Sequence, residues 1–293
     1  MSPLRFGIVS KTATYWPYYV GLREGLFAEQ GLELEFVPLG TTRAGVPALL
    51  ESQVDLAATC PDALVASVLE GAPLRVVGGL INRAVSSVIA VPAVSSFADV
   101  RGRRVAVTEA HGSVSTFLRA LLRRKGLADG DYEQVVCATT PEQVAALERG
   151  AVDMAMLTHP FENRLLKQGF HRLARIGDEL GTGAFTTLNG RRGWTSQPEW
   201  HSLRVALEAA DRFLRDTGRK SSATAALVEA TGVPQDELDE TYELYAGDSD
   251  VLSRAGELDL SGFGRLLTFM AEDGSRVQPT SARDFLDDFA AVR

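Results

Sequence analysis

Val46-Pro-Ala-Leu-Leu-Glu-Ser-Gln-Val-Asp-Leu-Ala57 returns without a gap as Val144-Ala-Ala-Leu-Glu-Arg-Gly-Ala-Val-Asp-Met-Ala155. The pairing sets Leu49 on Leu147 and Asp55 on Asp153, and it carries Pro61 onto His159 in the loop beyond. In both copies, apolar residues at helical spacing give way to a short apolar run, which reads as a helix leading into a strand. Apolar periodicity alone produces some matches between unrelated helix-strand units. The competing reading, favoured here, is duplication, or at least two lobes of one design.

Outward from the first copy, Leu4–Val9 reads as a strand, Pro17–Gln30 as a helix stopped by Gly31, and Leu32–Val37 as a half-buried strand. Ala63–Leu69 and Leu74–Gly79 add a further helix and strand, and Val85–Val91 is a β-rich run after which the order begins again. The second round comprises Asp99–Val107 (turn and strand), Ser113–Lys125 (helix), Gln134–Ala138 (strand), Pro141–Arg149 (helix), Val152–Leu157 (strand) and Phe161–Gln168 (helix). Such alternation predicts parallel-rich sheets with right-handed crossovers. Beyond about residue 185 the pattern turns helical, with helices expected over Pro198–Asp216, Ser221–Thr231, Gln235–Tyr245, Leu260–Ala271 and Ser281–Ala291.

The bulk composition agrees with a globular protein of two ordinary domains: 293 residues, of which 45% are hydrophobic and 23% charged. A formal charge of -8 argues against a general binder of nucleic-acid backbones, whose affinity rests on clustered Lys and Arg. No run approaches the roughly 18 apolar residues of a membrane span. Cys60 and Cys137 are too few for a disulfide framework or a thiolate zinc site, and the four histidines show no close ligand pairing, so no metal or cofactor is expected. The N-terminus runs almost directly into a strand, without a basic segment and apolar core. The expectation is cytoplasmic as the chain is written, and periplasmic or extracytoplasmic if a signal peptide has been removed.

Four segments carry a family resemblance: Tyr18–Leu32, Val54–Ala57 with Gly71–Leu74 beyond it, Phe97–Val107, and Ala146–Met154. In order and spacing the chain resembles the type 2 periplasmic substrate-binding proteins of ABC transporters, including sulfonate, taurine, nitrate and thiamine-precursor binders, and the pyrimidine-synthase-like homologues. The resemblance implies an α/β, two-lobed clamp with a C-terminal helical segment packed on lobe one. Lobe one would span 1–88 plus 190–293 and lobe two 89–189, with a hinge near 85–91 and 186–194. A small organic ligand would lie between the lobes.

Four loops follow strands that would face such a cleft. Tyr15, Trp16 and Tyr18 could stack on a flat ligand or pack the following helix. Thr41 and Thr42 offer hydroxyls. Thr59, Cys60 and Asp62 stand before the next helix, where Asp62 also suits an N-cap. In lobe two, Ser113 and Ser115 sit at a helix start suited to an anionic group, and His159 and Glu162 form a plausible hydrogen-bonding pair. The leading expectation is a binding protein closing on an organic acid or heterocycle, with a membrane permease as partner if exported. The alternative is a cytoplasmic lyase, decarboxylase or precursor synthase on the same fold, drawing on His159, Glu162, His111, Glu109 and Cys60 for acid–base chemistry. The related iron-linked synthases carry a cysteine-rich run, for which this chain has only Thr59-Cys-Pro-Asp62.

Overall fold

A computed structural model describes residues 2–108, 113–181, 183–247, 251–272, 281–288, 290 and 292. In the first half, strands β1 (Leu4–Ile8), β2 (Leu34–Pro38), β3 (Leu56–Thr59) and β4 (Leu74–Ile81) alternate with helices α1 (Trp16–Arg23), α2 (Gly45–Leu50) and α3 (Asp62–Leu69). The pattern repeats with β5 (Ser87–Ala90), β6 (Arg104–Val107), α4 (Ser113–Arg124), β7 (Glu133–Val136), α5 (Thr140–Glu148), β8 (Met154–Leu157), α6 (Glu162–Lys167) and β9 (His171–Arg175). A short helix, α7 (Ile176–Leu180), and β10 (Thr186–Arg191) return the chain to the first sheet.

The two sheets have the same plan. Strand order is β2-β1-β3-β10-β4 in one and β7-β6-β8-β5-β9 in the other. β1 pairs in parallel with β2 and β3, and β6 likewise with β7 and β8. In each sheet the fourth strand is antiparallel to both neighbours: β10 between β3 and β4, and β5 between β8 and β9. Four strands of each sheet therefore run one way and one runs against them.

The aligned aspartates of the sequence repeat hold equivalent corners. Asp55 accepts from the Arg5 backbone N–H at 2.9 Å and from its guanidinium at 2.8 and 3.2 Å, while a further guanidinium N–H reaches Ser52 O at 2.7 Å. Asp153 accepts from the Arg104 backbone N–H at 2.9 Å and from its guanidinium at 3.2 and 3.4 Å, and Arg104 also reaches Gly150 O at 2.9 Å. Each clasp ties the turn after a helix to the strand beside it. Burial resists ionisation of Asp153, but the backbone and guanidinium donors of Arg104 outweigh it and hold the carboxyl below the ordinary range.

The chain crosses between sheets over 82–86 and 176–185, so most of the expected hinge, 85–91 and 186–194, lies within the strands β5 and β10. The crossings are bonded to one another through Ile176 N to Ser86 O (3.0 Å), Gly183 N to Asn82 O (3.1 Å) and Phe185 N to Ile81 O (2.9 Å). They approach so closely that a Cβ on Gly177 would stand 2.2 Å from Ala84 O.

The C-terminal segment comprises α8 (Pro198–Arg215), α9 (Lys220–Thr231), α10 (Asp239–Tyr242) and α11 (Leu260–Glu272). Helices α8 and α9 pack on α1, as expected for lobe one. α11 also reaches α4 of the second lobe, where Phe269 meets Phe117 edge-on at 5.8 Å. The helix expected over Ser281–Ala291 is not formed: a 3₁₀ turn at Ala282–Phe285 is followed by isolated parallel bridges, Leu286 to Val76 and Val292 to Leu258. Unpaired backbone at the β4 edge takes Leu286 as its partner in preference to a helix. Among the described residues, no helix is long and apolar enough to cross a membrane.

Two substitutions test this framework. Gly177→Ala forces the crossings apart and is expected to lower the free energy of unfolding by about 1–3 kcal/mol in urea titrations. Gly150→Ala, at φ 68° with open space around the new Cβ, is expected to cost about 1 kcal/mol from backbone conformation alone.

Candidate functional site

Between the two sheets lies a cavity of about 70 Å³, lined at the carboxyl ends of the strands that run together. After β1, Val9, Ser10, Thr12, Thr14 and Tyr15 contribute; after β2, Thr42; at the end of β3, Thr59 and Cys60; and leading into β10, Phe185 and Thr186. The second lobe supplies Thr108, Val114, Ala138, Thr139, Thr140, Met156 and Thr158. Nine of these are threonines, and none of the described lining side chains carries a charge.

Local structure fixes several of these groups. Thr12 caps the turn Ala13–Tyr15 by accepting from Thr14 N at 3.3 Å, and Thr139 caps α5 by accepting from Glu142 N at 3.4 Å. A hydroxyl oxygen already accepting from the protein keeps its hydrogen to donate elsewhere. The Tyr15 hydroxyl donates to Ala58 O at 3.0 Å and accepts from Val9 N at 3.3 Å, pinning the first loop to β3. Burial pushes the Tyr15 phenol well above its ordinary range, so the pin stays neutral.

Of the residues expected from sequence, the cavity brings together Tyr15, Thr42, Thr59 and Cys60. Trp16 is buried against α9 and donates its indole N–H to Ala223 O at 2.7 Å, and its ring meets Tyr242 and Tyr245. Tyr18 is buried between Phe6 and Phe27. These two aromatics complete the core. Thr41 accepts from Ala44 N at the start of α2, Asp62 is the buried first residue of α3, and Ser115 is buried within α4. None of the three is among the residues lining the cavity. Glu109 and His111 lie outside the described residues, as does the side chain of Ser113.

His159 and Glu162 are completely buried behind the cavity wall, with Nε2 of the ring 2.6 Å from Oε1 of the carboxylate. Ser87 donates to the same carboxylate oxygen at 3.1 Å, and the other ring nitrogen faces the Thr241 hydroxyl at 3.5 Å. The pair belongs to a polar seam joining the lobes. Ala13 N donates to His159 O at 3.0 Å, and Asn163 Nδ2 donates to Glu237 O at 2.7 Å. Arg172 grips Glu240 through two bonds of 2.8 and 3.0 Å, and Arg175 reaches the same carboxylate. The segment carrying Glu237, Glu240 and Thr241 is anchored to lobe one, since Tyr242 packs on Trp16 and donates to Leu214 O at 2.9 Å. Burial opposes ionisation of Glu240, but the two arginines, Arg172 foremost, hold its carboxyl below the ordinary range.

The loop at Ala138–Thr140 and the entry to β10 at Phe185–Thr186 are parts of the wall that sequence reasoning missed. The signal for the loop was present, because carrying the repeat back a few residues sets Thr41-Thr42 on Thr139-Thr140. Among the described residues, no three His, Cys, Asp or Glu side chains cluster as a metal site would require.

A family model described as NMT1/THI5 like matches residues 12–175, more than half of the chain. No curated protein sequence matches it. Among solved structures, the alkanesulfonate-binding protein SsuA from Xanthomonas axonopodis pv. citri bound to MOPS is similar at a TM-score of 0.79 and 17% identity, with 98% of each chain covered. The periplasmic aliphatic sulphonate binding protein SsuA from Escherichia coli gives 0.76 at 18% identity, with 99% of each chain covered. The periplasmic nitrate-binding protein NrtA from Synechocystis PCC 6803 gives 0.78 at 16% identity, covering 99% of this chain and 86% of that one. At these identities the likeness is one of fold: the type 2 periplasmic-binding-protein clamp.

The seam makes a pH-dependent prediction. A depressed carboxyl contributes stability above its unfolded value, near the 4.5 of an ordinary glutamate, and loses it as pH falls through the lower folded value. The thermal midpoint of Glu240→Gln is therefore expected below wild type at pH 7, with the gap closing steadily on acidification below about pH 4.5.

Proposed function

The chain belongs to the NMT1/THI5-like family, and from that premise we propose that it is a solute receptor closing its two lobes on a small organic acid. The observation that carries this reading is the cavity itself, lined from both lobes by hydroxyl groups whose oxygens, at Thr12 and Thr139, already accept from the protein. Such a wall offers hydrogens to an acceptor-rich group and meets it with neutral donors. The crossings at 82–86 and 176–185 serve as the hinge, and the seam through His159, Asn163 and Glu240 holds the closed form.

The residues an enzyme on this fold would draw on support the receptor reading. His159 and Glu162 are sealed from the cavity, and of the described members of that set only Cys60 lines it. The sulfonate binders among the solved structures named above support the same class of ligand. In that role the partner is a membrane permease, and the working place is outside the cytoplasmic membrane.

A thermal-shift screen of short alkanesulfonates, carboxylates, nitrate and small heterocycles tests the reading. One chemical class is expected to raise the midpoint by several degrees, and indifference to all of them would overturn it. Thr139→Val is then expected to weaken that ligand about 5–10-fold by calorimetry, the worth of one hydrogen bond.

A further inference from the structure

Under the floor of the cavity, two buried side chains of β10 address a third on β3. Thr187 and Asn189, two residues apart, share a face of the strand. The Thr187 hydroxyl donates to Asn189 Oδ1 at 2.8 Å, and Asn189 Nδ2 donates to Thr59 Oγ1 at 3.1 Å. The Thr187 hydroxyl has a second acceptor in Thr59 O at 3.5 Å, but turning the amide over would set Oδ1 against the Thr187 carbonyl, which now faces Nδ2 at 3.4 Å and only accepts, so the orientation with Nδ2 toward Thr59 is favoured. Thr59 Oγ1 is thus an acceptor toward the protein interior, and its one hydrogen must point elsewhere. Thr59 lines the cavity. On its other flank, a Cβ at Gly45 would come within 3.0 Å of Thr59 Cγ2 and 3.3 Å of Oγ1, so only glycine at position 45 leaves the Thr59 side chain its place.

We propose that Asn189 is a positioning residue that fixes Thr59 as a hydrogen-bond donor into the cavity. The site thereby selects a ligand group bearing acceptor lone pairs only, such as a carboxylate or sulfonate, over an amide or sulfonamide that presents N–H. This deepens the receptor reading above and rests on it for the ligand. Thr12 and Thr139 are polarised by helix-start amides nearby in sequence, whereas Thr59 takes its polarity from a side chain 130 residues away. That distance makes it separable by mutation.

Two measurements test the assignment. The first needs no ligand: neutron diffraction from deuterated crystals is expected to place the Thr59 hydroxyl deuterium on the cavity side, and finding it between Thr59 and Asn189 would overturn the proposal. The second is a double-mutant cycle read by calorimetry with methanesulfonate, with methanesulfonamide as the donor-bearing control. Asn189→Ala is expected to weaken methanesulfonate about 5–10-fold in the wild-type background and less than about twofold in a Thr59→Val background, with the sulfonamide little changed. Equal losses in both backgrounds would show a merely structural role and sink the idea. If Asn189→Ala does not fold, Thr187→Val, which removes the hydroxyl holding the amide, supports the same cycle. Failure of the wild-type protein to bind either probe counts against the receptor reading, and the deuterium position still decides the role of Asn189.

Discussion

Each sheet of this protein is completed by a strand that enters directly after a crossing between the lobes. β10 enters between β3 and β4 only after the whole second lobe has been traversed, and β5 enters between β8 and β9 ahead of the strands it joins. Without these insertions, four strand edges would stand unpaired in the middle of two sheets, each group costing about what an unmade buried hydrogen bond costs. The constraint forces both crossings to one wall and holds them side by side there. It also reverses one strand per sheet, so that β10 begins where β3 ends. Thr186 therefore lines the cavity, and Thr187 and Asn189 come to lie beneath it.

The same logic explains why a helix-strand repeat was the most readable feature of the sequence. Asp55 and Asp153 recur because each must hold the turn after a helix against the parallel strand beside it, and an arginine on that strand supplies both backbone and side-chain donors. Charge-assisted bonds of this kind restrict what can stand at the position. The arginines were less visible. Arg5 and Arg104 are separated by one residue more than the aspartates are, so a gapless alignment passes over the partner that gives the aspartates their role.

The loops of the site were legible, and the side chains within them were only partly so. Size and chemical prominence drew attention to Trp16, Tyr18, His159 and Glu162, but a narrow space between two closed lobes has room for hydroxyls and little for rings. The large groups went instead to places where their area could be buried, Trp16 under the C-terminal helices and Tyr18 between two phenylalanines. Periodicity also misled at Ser281–Ala291, where the open edge of β4 decided the outcome. No local pattern could report that edge, because it depends on a strand more than a hundred residues away.

A wall whose described side chains carry no charge has consequences for how such a site works. A buried arginine facing an anion would bind tightly, and it would leave a costly unpaired charge whenever the cleft emptied. Hydroxyls that already accept from the protein lose much less on emptying, because water satisfies their single remaining hydrogen. Ionic contacts lie instead in the seam, where Glu240 meets Arg172 and Arg175 at partial exposure. On the receptor reading proposed above, holding the lobes together and recognising the ligand fall to different residues. Recognition would then rest on several hydrogen bonds of about 1 kcal/mol each, which suit a receptor that releases what it has bound.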